Sequence, residues 1–206
     1  MLHDADIREP LFDYLEDSYG KIRILEEVQI SRSRADVIMI TDDSLVGLEI
    51  KSDADTYVRL ERQVKDYNLF FDYNYVVVGS THAKHVNEHI PDSWGIISAE
   101  LIDGNMDFYV LREPTRNKRQ RIKRKLSLLW RPELAHIQER KSKDFVVNKL
   151  IEKLPREQLD LEISTELFER DYTLIADIIA NYKKEDQKPV KKRRSRKTKK
   201  ITRKHV

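Results

Sequence analysis

Apolar residues recur along the first half of the chain with two different periods. Between residues 4 and 19 they return every three or four positions, which predicts an amphipathic helix that ends at Gly20. Over 22–30 they alternate with polar residues, which predicts a strand with one buried face. Pro10 lies inside the helical pattern, so we expect that helix to start late or to kink.

The rest of the chain continues with strands and helices. The predicted elements are strands over 37–40 and 45–50, a helix over 53–71, a strand over 75–79, a short helix over 82–90, strands over 94–98 and 108–111, and helices over 116–129, 133–153 and 165–183. This order predicts an α/β core with a helical C-terminal extension. We expect a core over 1–113, a basic and helical extension over 114–182, and a disordered basic tail over 183–206.

Three charged residues, Asp36, Glu49 and Lys51, stand in strands that are otherwise apolar. If Asp42 and Asp43 form a two-residue turn, Asp36 lies directly opposite Glu49, with Cβ atoms ~4.5–5.5 Å apart. Two carboxylates this close repel each other unless a proton or a cation lies between them. Lys51 shares their face, and the reverse face is wholly apolar and is predicted to be the core face. The pattern favours a divalent metal site over an exposed Glu-x-Lys ion pair.

Two more acidic residues are candidates for the same site. A turn at Ser31 and Arg32 would place Glu27 beside Asp36, although neither turn residue favours a positive φ. Asp4 stands at the start of the first predicted helix, where it is either an acid of the metal site or the N-terminal cap of the helix.

Charge is distributed unevenly along the chain. Residues 183–206 contain 13 Lys or Arg against two acids, which leaves 26 basic and 34 acidic residues in the rest of the chain. The predicted helix 116–129 lies in a second basic segment. Such segments indicate a nucleic-acid partner, although a lysine-rich tail can also serve only for solubility. The candidate nucleic-acid contacts in the two segments are Arg116, Lys118, Arg119, Arg121, Lys123, Arg124, Lys125, Lys191, Lys192, Arg193 and Arg194.

Several classes of protein are excluded by composition. The chain has no cysteine, which rules out disulfides and thiolate metal sites. It has no run of about 18 or more apolar residues, and its first ten residues lack the basic flank and apolar segment of a signal peptide. We therefore expect a soluble, cytoplasmic protein without a membrane partner.

The order of these elements and charges resembles that of the PD-(D/E)XK nuclease superfamily. Its members share a helix, a strand, a strand with the equivalent of Asp36, a strand with the equivalent of Glu49-Ile50-Lys51, a helix and a strand. Gln63 and Tyr67 are spaced like the Gln-x-x-x-Tyr motif of the RecB-type branch.

Further stretches are similar to other branches of that superfamily. Asp4-x-x-Ile7-x-x-x-Leu11 resembles the first-helix pattern of archaeal Holliday-junction resolvases, which have Glu in place of Asp. The runs RADV, GLEIKSDADT, RLERQVKDY, VVVG and IPDSWGI resemble an uncharacterised bacterial and phage branch, and the likeness covers residues 4–98. One departure is Ala35, which stands where the superfamily pattern has a proline before the aspartate.

The resemblance implies a fold and an activity. The fold would be a restriction-endonuclease-like core, αβββαβ with a mixed sheet flanked by helices, and the activity would be hydrolysis of phosphodiester bonds in DNA. Asp36 and Glu49 would bind Mg²⁺ or Mn²⁺ together with the backbone carbonyl of Ile50. Lys51 would position the attacking water or stabilise the transition state.

The helix after Lys51 would support this site. Gln63 would hold the site and Arg59, one turn earlier, would contact the DNA backbone, while Tyr67 is expected in the core. The resemblance also allows a homodimer. Two alternatives stay open: a non-catalytic nucleic-acid-binding protein on the same fold, and a module recruited by a protein partner through its C-terminal helices.

Overall fold

A six-stranded mixed sheet lies at the centre of the computed structural model, which describes residues 2–134 and 141–186. The strands neighbour each other in chain order and are β1 (Arg23–Ile30), β2 (Ser33–Ile40), β3 (Leu45–Lys51), β4 (Tyr73–Gly79), β5 (Gly95–Ile102) and β6 (Asn105–Arg112). The β3–β4 and β4–β5 pairs are parallel, and the other pairs are antiparallel. The predicted α/β class is confirmed.

Within the first compact unit, helices flank this sheet. In the described part of that unit they are α1 (Asp4–Tyr19), α2 (Leu60–Phe70), α3 (Ser80–Ala83), α4 (Ile122–Leu126), α5 (Lys143–Lys153) and α6 (Arg156–Phe168), with 3₁₀ turns at Tyr57–Arg59, Val86–Glu88 and Pro132–Leu134. A further helix, α7 (Tyr172–Asp186), belongs to a second compact unit. Parallel neighbours need a crossover connection, and α2 provides it between β3 and β4.

Helix α1 has the bounds that the apolar period predicts. Its residues Ile7, Leu11 and Leu15 are fully buried, and Gly20 ends it with a φ of 73°. The helix includes Pro10 and begins at Asp4, so the expected late start is wrong.

Both predicted tight turns form. In the β2–β3 turn the N–H of Thr41 donates to the carbonyl of Ser44 at 3.0 Å, as a two-residue turn requires. In the β1–β2 turn Ile30 pairs with Ser33, and Ser31 adopts a φ of 49° although its side chain does not favour that conformation. The predicted registers are therefore confirmed where the strands pair, but neither Asp36 and Glu49 nor Glu27 and Asp36 are among the paired residues.

Apolar side chains cover both faces of the sheet. On one face, which we call the α1-side core, Val37 and Leu48 pack with α1. On the other, the α2-side core, Ile38, Ile40 and Leu45 pack with α2 and the C-terminal helices and are at most 1% exposed. The predicted single core face is therefore wrong, because helices cover a central sheet of this kind on both sides.

Two predicted helices are shorter than the apolar pattern suggests. The helix predicted over 53–71 begins only at Leu60, after a turn in which the Asp55 carboxylate accepts the Ser52 N–H at 2.9 Å. The basic helix predicted over 116–129 is reduced to the five residues of α4. Before α4, the Asn117 side chain donates to the carbonyls of Asn68 and Phe71, both at 2.8 Å, so this segment caps the C-terminal end of α2 instead of extending as a helix.

The C-terminal helices share the core of the sheet. Leu126 on α4, Val146 on α5 and Ile163 on α6 belong to the α2-side core together with strand residues. The boundary predicted at 113/114 therefore does not separate two cores, and the first compact unit extends to Arg170. Of the helix predicted over 133–153, residues 135–140 lie outside the described residues and Lys143–Lys153 forms α5.

A buried ion-pair network joins α4 and α6 to the sheet. The ammonium of Lys125 is fully buried, 2.6 Å from Asp72 Oδ2 and 2.7 Å from Asp160 Oδ1. Asp72 Oδ2 also accepts the Leu45 N–H at 2.9 Å. The prediction that Lys125 contacts nucleic acid is therefore wrong, because its charge is neutralised inside the protein.

A second compact unit begins at Asp171 and contains α7. The Asp171 carboxylate caps this helix by accepting the N–H groups of Thr173 and Leu174 at 2.8 and 3.0 Å. Most of the predicted basic tail, from residue 187 onward, lies outside the described residues. Among the helices of the described residues, none is both long and apolar enough to cross a membrane.

Candidate active site

Strands β1 and β2 lose their regular alternation beside Asp36. Ala35 and Ile38 are three residues apart and both lie in the α2-side core, whereas a regular strand places such residues on opposite faces. On the neighbouring strand, Glu27 has a φ of 55°, in the left-handed region that residues with a side chain rarely adopt. This break turns Asp36 out of the regular faces of β2, an effect that strand irregularities commonly have at functional sites.

The break also changes the hydrogen bonds of Asp36. Pairing of β2 with β3 ends at Val37, and beyond it the Asp36 carboxylate accepts the Ile50 N–H at 2.9 Å. The Asp36 N–H donates to the Tyr67 hydroxyl at 3.0 Å, and that hydroxyl donates to the Leu48 carbonyl at 3.3 Å. Tyr67 is fully buried, as predicted, and its hydroxyl also holds the distorted strand in place.

Glu49 lies at the floor of this site with an exposed fraction of 0%. Its Oε1 accepts hydrogen bonds from Lys51 Nζ at 2.5 Å and from the Gln63 side-chain amide. Its Oε2 is buried and has no hydrogen-bond partner among the described residues. Because an unpaired buried carboxylate oxygen is costly, this atom calls for a ligand that donates a proton or carries positive charge.

Burial perturbs both carboxyl groups, and the charge of Glu49 perturbs Asp36 further. Burial, followed by the charge of Glu49, raises the pKa of Asp36 from 3.8 to about 7. Burial likewise raises the pKa of Glu49, against the opposing effect of the Lys51 ammonium. A proton or a cation between the two groups relieves this repulsion, as the sequence predicts for opposed acids.

The oxygens at this point suit a hard divalent cation. They are the Asp36 carboxylate, Glu49 Oε2 and the Ile50 carbonyl, which faces the same side of β3 as the Ile50 N–H. The described residues contain no cluster of three or more acidic or histidine side chains that could hold a metal ion. A cation at this centre would therefore need water or substrate oxygens to complete its coordination, which Mg²⁺ commonly uses.

The two other predicted acids are engaged by an arginine that the sequence reasoning missed. Arg8 on α1 lies 2.6 Å from Asp4 and 2.6 Å from Glu27, and Glu27 also pairs with Arg34. His3, not Asp4, precedes the first turn of α1, so the alternative that Asp4 caps the helix is wrong. Asp4 and Glu27 border the site with their charge largely balanced.

An open groove of about 450 Å³ surrounds the acidic centre. The predicted residues that line it are Asp4, Glu27, Asp36, Glu49, Ile50, Lys51, Arg59 and Gln63. The basic residues that the sequence reasoning missed are Arg8, Arg32, Arg34 and Arg62. The sequence could have predicted two of these as groove residues from their spacing to predicted site residues. Arg62 directly precedes Gln63, and Arg8 follows Asp4 by one helical turn.

The basic segment around α4 does not reach this groove. None of its described basic residues lines the groove, and two of them pair elsewhere: Arg116 lies 3.7 Å from Asp160, and Lys123 lies 2.7 Å from Asp144. The other candidates of this segment are exposed to solvent; they are Lys118, Arg119, Arg121 and Arg124. Lys191, Lys192, Arg193 and Arg194 lie outside the described residues.

Comparison with known proteins identifies a family. No curated protein sequence matches the chain. Among solved structures the chain is similar to SfsA of Pyrococcus furiosus, solved in complex with Ca²⁺, at 12% sequence identity and a TM-score of 0.34. That match covers 54% of this chain and 62% of the SfsA chain, which is less than two thirds of its length. The family described as bacteriophage P4 protein cII matches residues 2–204, and the chain therefore belongs to this family.

Proposed function

We propose that this protein is a nuclease of the PD-(D/E)XK type that hydrolyses phosphodiester bonds in DNA with the help of Mg²⁺ or Mn²⁺. The observation that carries the proposal is the unpaired, buried Oε2 of Glu49 beside the carboxylate of Asp36. A protein that only binds nucleic acid gains nothing from a fully buried acid beside a half-buried one whose pKa it raises.

Asp36 and Glu49 would hold the cation from two neighbouring strands. Asp36 is fixed through the Ile50 N–H and the Tyr67 hydroxyl, and Glu49 through Lys51 and Gln63. Each carboxylate is therefore oriented before a ligand arrives, which is the preorganisation that a catalytic site needs. A divalent cation held there supplies a water of lowered pKa and offsets the charge that builds on the phosphate.

Lys51 has an electrostatic role in this proposal. Its ammonium lies 2.5 Å from Glu49 Oε1 and is about 5% exposed, so it sits at the floor of the groove beside the acids. An ammonium group paired with a carboxylate has no lone pair with which to accept a proton. It can donate a hydrogen bond to a phosphate oxygen or to the attacking water, and this requires no deprotonation.

The test compares wild type with Asp36→Asn, Glu49→Gln and Lys51→Ala, and uses Glu61→Gln as a matched control. Glu61 is an exposed acid on α2 that pairs with Lys65 and does not line the groove. Each protein is incubated with single-stranded, duplex and branched DNA in Mg²⁺, Mn²⁺ or EDTA. We expect cleavage by wild type and Glu61→Gln in either metal, and a loss of at least about 100-fold in the three site variants.

Two outcomes would contradict the proposal. Cleavage that persists in EDTA would exclude the metal, and cleavage that survives Glu49→Gln would exclude this centre. DNA binding without any cleavage under all conditions would favour the non-catalytic alternative on the same fold.

A further inference from the structure

We propose that the groove accepts a single nucleic-acid strand, held by its phosphates through Arg32, Arg59 and Arg62, with little preference among bases. This inference rests on the proposed function for the identity of the site and adds the class of substrate. The three arginines come from separate places in the chain, the β1–β2 turn for Arg32, the 3₁₀ turn before α2 for Arg59 and the first turns of α2 for Arg62.

These arginines differ from the other cations of the groove in their pairing. Arg8 and Arg34 are committed to Asp4 and Glu27, and Lys51 is committed to Glu49. Within the described residues, no carboxylate lies within ion-pair distance of Arg32, Arg59 or Arg62, and all three side chains are exposed.

Their charges are therefore free to bind an external anion. Guanidinium groups bind phosphate oxygens in a bidentate manner, so three of them along one groove suit a chain of phosphates.

The dimensions of the groove favour one strand. Its volume of about 450 Å³ falls within the range of small-molecule pockets, which is room for about one or two nucleotides and not for two paired strands. Two of the groups that would act on the phosphate lie below the surface, with Glu49 at 0% and Lys51 at 5% exposure. A flexible single strand can bend a phosphate down to that depth, whereas a stiff duplex must be deformed at a cost in free energy.

The lining of the groove explains the expected lack of base preference. None of the described residues that line it is aromatic, so this part of the chain offers no ring in the groove on which a base could stack. Apart from Ile50, the lining side chains are charged, amide or hydroxyl groups, and the guanidinium groups among them suit the phosphates of the backbone. Contacts to phosphates fix the position of a strand without reading its sequence.

Binding measured in EDTA tests this inference separately from catalysis. Fluorescence anisotropy would compare labelled 12-residue oligomers of dT and dA with a 12-base-pair duplex, at several salt concentrations. The groove variant is Arg32→Ala/Arg59→Ala/Arg62→Ala. The control Lys65→Ala/Lys84→Ala/Lys153→Ala removes the same charge from exposed residues outside the groove. Both variants keep the basic tail, and circular dichroism checks that both are folded.

We expect the groove variant to lose roughly 30–100-fold in affinity for the single strand near 0.1 M salt, because each phosphate contact contributes a slope of about −0.7 in log affinity against log salt. The slope should become shallower by about 2. The control should lose much less, and dT and dA should bind alike in wild type. Equal losses in the two variants, or wild-type binding to duplex at least as tight as to the single strand, would overturn the inference.

The inference and the proposed function can fail separately. If the protein binds single strands through these arginines but never cleaves them, the nuclease proposal is overturned and the inference of a strand-binding groove stands. If the protein cleaves duplex DNA at the acidic centre and the three arginine substitutions have no effect, the nuclease proposal stands and the single-strand inference is overturned.

Discussion

The hydroxyl of Tyr67 accepts a hydrogen bond from the backbone N–H of Asp36 at 3.0 Å, and this bond connects helix α2 to the point where strand β2 breaks. A backbone N–H that leaves a sheet ladder needs another partner, because an unpaired buried donor costs free energy. Tyr67 supplies that partner from the interior of the α2-side core. The position of the candidate metal ligand Asp36 therefore depends on a side chain that the sequence identified only as a packing residue.

Tyr67→Phe should loosen Asp36 while leaving the fold intact. We expect a loss of about 1–2 kcal/mol in the free energy of unfolding, because one buried hydroxyl and its bonds are removed. We also expect weaker Mn²⁺ binding by titration calorimetry, because Asp36 is no longer held in place. The matched control is Tyr57→Phe. The Tyr57 hydroxyl donates to the His82 carbonyl at 3.2 Å, and Tyr57 does not line the groove. Equal Mn²⁺ affinity in both variants would contradict this prediction.

Asp36→Asn should change how stability depends on pH. The pKa of Asp36 is 3.8 unfolded and about 7 folded, so between these values the folded protein holds a proton that the unfolded chain has lost. The wild-type free energy of unfolding should therefore fall as pH rises from 4 to 7, by no more than about 1.4 kcal/mol per pH unit. The variant lacks this penalty, so its stability relative to wild type should rise over that range and then level off.

Urea unfolding in EDTA at pH 4.5, 6 and 8 measures this difference. Asp144→Asn is the control, because Lys123 lowers the pKa of the exposed Asp144, so this carboxyl is ionised in both states over this range and its substitution should shift stability by a constant amount. A relative stability of Asp36→Asn that stays constant with pH would show that the carboxyl group is not perturbed.

The acids of the groove should differ in their importance for metal binding. Glu49→Gln should weaken Mn²⁺ binding by at least about 10–100-fold, because the unpaired Oε2 is replaced by a neutral amide. Glu27→Gln should change it by less than about threefold, because Glu27 is held by Arg8 and Arg34. Titration calorimetry with Mn²⁺ measures the affinity of both variants. A larger loss of Mn²⁺ affinity in Glu27→Gln than in Glu49→Gln would mean that Glu27 binds the ion and breaks its ion pairs with Arg8 and Arg34.

Lys125→Met should be strongly destabilising. The change leaves Asp72 and Asp160 buried, at 1% and 4% exposure, without the ammonium that lies between them. Breaking a buried ion pair from one side costs about 3–5 kcal/mol. Lys123→Met is the control on the same helix, because Lys123 is exposed and its surface pair with Asp144 should contribute little to stability. Denaturant unfolding at pH 7 compares the two, and similar losses would contradict a structural role for Lys125.

Local patterns in the sequence were sufficient for much of the sheet. The period of helix α1, the turn before β3 and the register of Val37–Ile40 against Leu45–Leu48 all follow from side-chain alternation and turn geometry, which depend on neighbouring residues. The same rules failed for the segment before α4, where Asn117 uses its side chain to cap α2 across 46 and 49 residues of sequence. A basic segment with apolar residues at helical spacing predicts a helix when its hydrogen bonds to distant parts of the chain are not considered.

Within the candidate site, the sequence by itself predicted that Asp36, Glu49, Lys51 and the supporting Gln63 come together, because the β2–β3 turn and the period of the next helix bring these positions to one place. Only the tertiary structure decided that Glu49 is fully buried with an unpaired oxygen, and that Arg8 balances Asp4 and Glu27. It also decided that Lys125 is an internal ion pair and not a nucleic-acid contact. Burial and charge balance depend on which distant elements pack together, and this is why periodicity along the chain could not reveal them.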